Sequence, residues 1–250
     1  MFIMKRLFLS LCAAFACLGA LAQYQQPGSA SLYKPLSTWP FRFEEFQEGV
    51  VRTVKGNLLE YSSLNVSVID GKLMYINKGT IMQADMLNVY TAQVGTEIYI
   101  NIYGKLHRVL QEVEKGAIVD LTSVDMEEMG KTNIGYGISS STASMRNTTL
   151  AGLGVDAATG VNGDSVPLSQ AEQQKHNGSV LPLRQDTYFY VYRILVPATK
   201  RDVINAPGVN KADAKAFFKT TKVKWNNPAT LVPVVDFLYE QFDKTNKSQQ

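Results

Sequence analysis

Cysteine and histidine are nearly absent from this chain of 250 residues: Cys12, Cys17, His107 and His176 are all it holds. Both cysteines lie ahead of Ala22. A chain processed there has no disulfide, no thiolate nucleophile and no thiolate metal site, so its stability must come from an ordinary core. Two isolated histidines without an H-E-x-x-H or similar spacing do not make a zinc site, and no cofactor is expected. A surplus of charge is missing too. Lys and Arg number 25 against 22 Asp and Glu, and Lys5 and Arg6 leave with the leader. The body that remains is close to neutral, which gives no electrostatic case for nucleic acid. No apolar run reaches the roughly 20 residues that span a bilayer, so no transmembrane helix is expected in the mature chain.

What is present begins with a leader. Lys5 and Arg6 form a positive start, Leu7 to Leu21 is uncharged and mostly apolar, and Ala20-Leu21-Ala22 supplies the small residues accepted before Gln23. This is the three-part layout of a secretory signal peptide over residues 1–22. A second processing route is lipidation at Cys17 within Ala14-Phe15-Ala16-Cys17. That box prefers Leu where Ala14 stands, so cleavage between Ala22 and Gln23 is the leading expectation. The expected location is the periplasm or the periphery of an outer membrane.

Residues 23–38, rich in Gln, Pro, Ser and Gly, read as a flexible segment. Residues 39–129 read as a β meander. Asp70-Gly71 is expected as a two-residue hairpin turn between Leu64–Ile69 and Lys72–Ile76. Asn77-Lys78-Gly79, Gly104-Lys105 and Lys115-Gly116 supply further turns, and Ile98, Ile100 and Ile102 alternate with Tyr99 and Tyr103. Residues 130–182, poor in aromatics and rich in Gly, Ser, Thr and Asn, read as a polar insertion with a short helix near Ser169–Lys175. In residues 183–250, Thr187–Val196 reads as one central strand, apolar on both faces. Three helices should follow it, capped by Thr199, Asn210 and Thr230, with Pro233 in the last helix's first turn. The fold class is mainly β (α+β): an antiparallel meander, as a small barrel or sandwich, with C-terminal helices packed on it.

Three segments carry a resemblance: Trp39-Pro40-Phe41 to Gly49, the hairpin from Leu64-Asn65 to Tyr75-Ile76, and Pro197-Ala198-Thr199-Lys200-Arg201-Asp202-Val203. With the Ala-Leu-Ala-Gln processing site, they resemble an uncharacterised exported family of Bacteroidota. The resemblance implies a Gram-negative envelope and brings no activity or catalytic residues with it.

No catalytic group is expected. Gly130-Lys131-Thr132 lacks the glycine that a P-loop needs where Asp125 stands. Ser139–Ser141 has no G-x-S-x-G elbow, and neither histidine is placed as its base. Asp156, Asn162 and Asp164 do not follow the EF-hand order. Asp120, Asp125, Glu127 and Glu128 read as a solvated acidic turn, the alternative being the carboxylate pair of a weak glycoside hydrolase. Candidate contact residues are Tyr188, Tyr190 and Tyr192, expected on one strand face as core or as a sugar-stacking platform. Lys211, Lys215 and Lys219 form a basic helical stripe open to an anionic partner. Ser165, within Asp164-Ser165-Val166, matches the Asp-Ser/Thr-apolar O-glycosylation pattern of Bacteroidota in an expected exposed loop. The leading functional expectation is a non-enzymatic envelope protein, a binding or assembly module beside another envelope protein or an outer-membrane complex. The rival is a glycan-binding or weak carbohydrate-active protein, and an inhibitor or chaperone of exported proteins stands third. Mass spectrometry of the protein purified from its native host should find Gln23 as the first residue; a retained Met1 would contradict the leader assignment.

Overall fold

A computed structural model describes residues 36–125, 127–128, 165–177 and 181–247. The leader with its processing site, Ser139–Ser141, Gly130-Lys131-Thr132, Asp156, Asn162 and Asp164 lie outside the described residues. The strands are β1 Leu36–Ser37, β2 Gln47–Thr53, β3 Leu58–Val66, β4 Leu73–Asn77, β5 Thr80–Gln83, β6 Val89–Val94, β7 Glu97–Ile102, β8 Lys105–Val113, β9 Gly116–Val124, β10 Ser165–Pro167, β11 Leu181–Val191 and β12 Ile194–Pro197. The helices are α1 Leu168–Asn177, α2 Lys200–Asn205, α3 Lys211–Thr220 and α4 Val232–Lys247. A 3-10 turn, Pro228–Thr230, precedes α4.

All twelve strands form one sheet in the order β1-β11-β9-β8-β7-β6-β2-β3-β4-β5-β10, with β12 also beside β11. Each pairing is antiparallel. The protein is therefore mainly antiparallel β, with C-terminal helices on the sheet, as the turn spacing and caps predict. The meander and the C-terminal region share one body, because β11 pairs with β9 from Leu183↔Val124 to Tyr190↔Ala117.

Several turns match their sequence signals. Lys78-Gly79 has positive φ at both central positions, the twist that a two-residue hairpin favours; the turns expected at Gly104-Lys105 and Lys115-Gly116 fall one residue earlier, at Tyr103-Gly104, also with positive φ, and at Glu114-Lys115. The Asp70-Gly71 turn is wider than expected. Ser67 N donates to Lys72 O at 2.9 Å and Gly71 N to Ser67 O at 3.0 Å, so the loop runs from Val68 to Gly71. Its width lets buried Val68 reach back, its N–H donating to Pro40 O at 2.9 Å. Thr187–Val196 is not one strand. Tyr192 and Arg193, at φ 50° and 65°, reverse the chain between β11 and β12. No glycine or asparagine announces this turn, so its apolar flanks read as continuous.

The helix caps behave similarly. Thr199 accepts from Asp202 N at 3.1 Å, and Asn210 accepts from Ala212 N at 2.8 Å and from Asp213 N at 3.3 Å. Thr230 is not a cap. Its hydroxyl bonds Lys224 O and Asn227 O, while Asn227 caps the 3-10 turn and Pro233 lies in the first turn of α4. The expected insertion holds an ordered piece as well. β10 pairs with β5, and α1 is anchored where Thr38 Oγ1 donates to Lys175 O at 2.8 Å.

The sheet is curled, and apolar residues pack on both faces. One face carries Val51, Leu64, Val66, Leu73, Val94, Tyr99 and Leu106 in a common core. Farther along the sheet Ile118, Phe189 and Val191 meet Val203, Ala214, Leu231, Val234, Val235, Leu238 and Phe242 of the helical region. The opposite face of β7–β9 and β11 carries Ile102, Ala117 and Val119 with Val109, Tyr188, Tyr190 and Leu195. Two contacts show how far the curl goes. Leu106 N donates to Gly71 O at 2.7 Å, joining the start of β8 to the β3–β4 loop, and Tyr103 Oη donates to Arg193 O at 3.0 Å, joining the β7–β8 turn to the β11–β12 turn. At Gly49 a Cβ would collide with the Gln93 carbonyl oxygen, so β2 and β6 approach as only glycine allows.

Candidate functional site

Strand alternation sends every second side chain to the same face. On β8 that rule places Arg108 on the face of buried Leu106, where an unpaired guanidinium would be costly. The register answers it. Arg108 stands opposite Tyr99 of β7 and Asp120 of β9, and Glu97 lies two residues before Tyr99. Arg108 Nη1 donates to Glu97 Oε1 at 2.8 Å, and its Nε and Nη2 donate to the Asp120 carboxylate at 3.1 and 2.6 Å. From the segment before β2, Arg42 donates to Glu97 through Nη2 at 3.0 Å and Nε at 3.3 Å. Tyr99 Oη donates to Glu97 Oε2 at 2.5 Å, and Gln185 Nε2 of β11 donates to Asp120 Oδ2.

These side chains are largely withdrawn from water: Arg42, Glu97 and Arg108 are 9, 11 and 16 % exposed and Asp120 2 %. Burial alone would raise the Glu97 carboxyl. The hydrogen bonds and charge of Arg42, with Tyr99 and Arg108, outweigh it and hold the carboxyl below its usual range. Burial, with Glu97 alongside, pushes the Tyr99 hydroxyl well up. Burial disfavours the Arg108 cation as well, yet Asp120 and Glu97 more than compensate and raise its pKa. Arg42, Tyr99, Arg108 and Asp120 line a small cleft with Val66 and Leu106, with room for about one water-sized molecule. Two guanidinium groups there face two carboxylates, so the cleft is balanced in charge. A carboxylate held ionised by three donors is a weak proton acceptor. The chemistry that suits this cluster is cross-linking of the N-terminal segment and four strands.

The sequence-predicted residues are dispersed. Asp120 leaves the expected acidic turn for this buried network, because it points inward from β9. Asp125 does form the turn, its Oδ1 accepting from Glu127 N at 3.0 Å and Glu128 N at 3.1 Å. Tyr188 and Tyr190 share one face and belong to the smaller core behind the sheet. Tyr192 does not join them. The β11–β12 turn carries its ring to α4, where it stacks on Tyr239 at 4.8 Å and donates to Asp243 at 3.1 Å. The three rings therefore form no common platform. Lys211, Lys215 and Lys219 lie exposed on α3, while Phe217 of the same helix stacks on Phe237. Ser165 is a strand residue, paired with Met82, and not the loop residue expected. Among the described residues no group of three His, Cys, Asp or Glu could hold a metal ion, and no helix is long and apolar enough to cross a membrane.

His107 faces away from the network. It is 3 % exposed, its Nδ1 lies 3.1 Å from Lys105 O, and its ring meets Tyr188 edge-on. Burial lowers its pKa, with the Lys105 carbonyl opposing. The folded protein therefore resists protonating both His107 and Glu97. Below about pH 6.5 the unfolded chain takes up a proton at His107 that the native state refuses, and below about pH 4.3 one at Glu97. Stability is thus fullest above the first value and falls as acid is added. His107→Gln should flatten the thermal-denaturation midpoint between pH 7 and 5 while keeping the steeper fall below it. A variant that tracks the wild type through that interval would refute the assignment. In comparisons with known proteins, no family model, curated protein or solved structure matches this chain.

Proposed function

We propose that the protein is an exported, non-enzymatic module of the cell envelope that binds or helps assemble another envelope component. The observation that carries this reading is the fate of its charged side chains. The residues best placed to act on a substrate, Glu97 and Asp120, are each engaged by an arginine and a further donor within the fold. Apolar and basic side chains are what the surface offers instead, with Leu87 88 % and Tyr103 78 % exposed and the lysines of α3 turned outward. Such surfaces suit association more than turnover. The leader and the Bacteroidota resemblance supply the compartment. The glycan alternative needs an open tyrosine face, which Tyr188, Tyr190 and Tyr192 do not share. Affinity capture from detergent-solubilised envelope should recover a defined partner with the wild type and lose it with Lys211→Glu, Lys215→Glu and Lys219→Glu combined. Recovery of nothing above background would refute the proposal.

A further inference from the structure

Large apolar side chains exposed among the described residues are not scattered. Val54, Leu58, Leu59, Leu87, Tyr90 and Tyr103 come from adjoining turns, loops and strand ends at one rim of the sheet, where Tyr103 also reaches the β11–β12 turn that carries Tyr192. The rim is built by the β2–β3 turn, the β5–β6 loop and the β7–β8 turn. Val54 N donates to Asn88 O at 2.9 Å, which ties the first two together. Asn101 Nδ2 donates to Met86 O at 2.7 Å and Val89 O at 2.8 Å, which ties the second to the end of β7 just before Tyr103. Val54, Leu58 and Leu87 are 57, 67 and 88 % exposed. The rim projects: a Cβ at Gly56 or at Gly104 would meet nothing within 4 Å.

We propose that this rim is a lipid-contacting surface, with Val54, Leu58 and Leu87 entering the boundary between headgroups and acyl chains. Insertion into that layer penalises backbone groups without partners, and several in these loops are paired within the fold. Thr53 N donates to Asn57 O, Gly56 N to Thr53 O and Asn88 N to Asp85 O. Asn57 N donates to Thr53 Oγ1, and the Asp85 carboxylate takes Leu87 N and Asn88 Nδ2. The charges fit the same surface. Arg52, Lys55 and Lys105 are exposed around the rim, placed to meet anionic headgroups. Asp85 is engaged within its loop, and Glu60 lies farther down β3, opposite Val50. Tyr90 and Tyr103 add the amphipathic rings that favour the interface. A convex tip with aliphatic points also suits a fluid layer better than a rigid protein pocket. The proposal stands on this loop geometry and does not depend on the partner reading above.

The test places one environment-sensitive nitrobenzoxadiazole label on the full chain carrying Cys12→Ser and Cys17→Ser. Leu58→Cys and, separately, Leu87→Cys put the label on the rim, and Glu114→Cys puts it on the exposed β8–β9 turn as reference. Circular dichroism checks that each chain is folded. With vesicles of phosphatidylethanolamine and phosphatidylglycerol, the rim labels should shift to the blue, brighten several-fold and be quenched by doxyl-labelled lipid. The label at 114 should do none of these. Vesicles of phosphatidylcholine alone should give a weaker rim response, since Arg52, Lys55 and Lys105 then lack an anionic surface. No shift at either rim position, or equal responses at the rim and at 114, would overturn the proposal.

Discussion

The cluster of Arg42, Glu97, Tyr99, Arg108, Asp120 and Gln185 constrains the structure more than any other set of contacts. Its members come from the segment before β2 and from β7, β8, β9 and β11. Both faces of this part of the sheet are apolar, with Tyr99 and Leu106 on one and Ile102 and Val119 on the other. Hydrophobicity alone therefore discriminates weakly between the correct register and a slip. A slip by one residue would move Arg108 to the opposite face, away from Asp120 and Glu97, and leave Arg108 and Asp120 buried without a counter-charge, Glu97 keeping only Arg42. The cost of that error fixes the pairing of β7, β8 and β9. It also draws Arg42, and with it the aromatic segment Trp39–Phe46, onto the sheet.

Once that register holds, the rest follows from packing. Ile118 and Phe189 are directed to the side where Leu231 and, from α4, Val234, Val235, Leu238 and Phe242 pack. The curl brings the Tyr103 turn against the Tyr192-Arg193 turn, and the stack of Tyr192 on Tyr239 joins that hairpin to α4. The β2–β3 turn and the β5–β6 loop are left with Val54 and Leu87 exposed to water. The buried cluster and the surface are thus parts of one arrangement: Arg108, Glu97 and Asp120 are paired inside, and aliphatic and lysine side chains remain outside.

Much of this was legible in local chemistry. Glycine marked the Lys78-Gly79 turn and, to within one residue, the turn at Gly104, and Thr199 and Asn210 marked helix starts, because each of those signals is confined to a few adjacent residues. The Tyr192-Arg193 turn carries no such residue, and its left-handed backbone is held by contacts to α4 that sequence neighbours do not reveal. Thr230 has the chemistry of a cap, yet its hydroxyl is taken by Lys224 and Asn227. The buried cluster was missed for a related reason. Asp120 sits near Asp125, Glu127 and Glu128 in the chain, and proximity suggested one acidic turn. Its true partners, Arg108 and Gln185, become neighbours only when the strands pair. One sign was available: Arg108 falls between Leu106 and Leu110 in an alternating pattern, a charge on an apolar face that requires a buried counter-charge.

The central claim is that these charges act as one coupled unit. A double-mutant cycle on Glu97→Gln and Arg108→Leu, read by urea denaturation at neutral pH, tests it most directly. Either single substitution should cost about 3–5 kcal/mol, since each strands a buried charge. The pair together should fall short of the sum by about 1–3 kcal/mol. Additivity within about 0.5 kcal/mol would show the two residues to be independent and contradict the account.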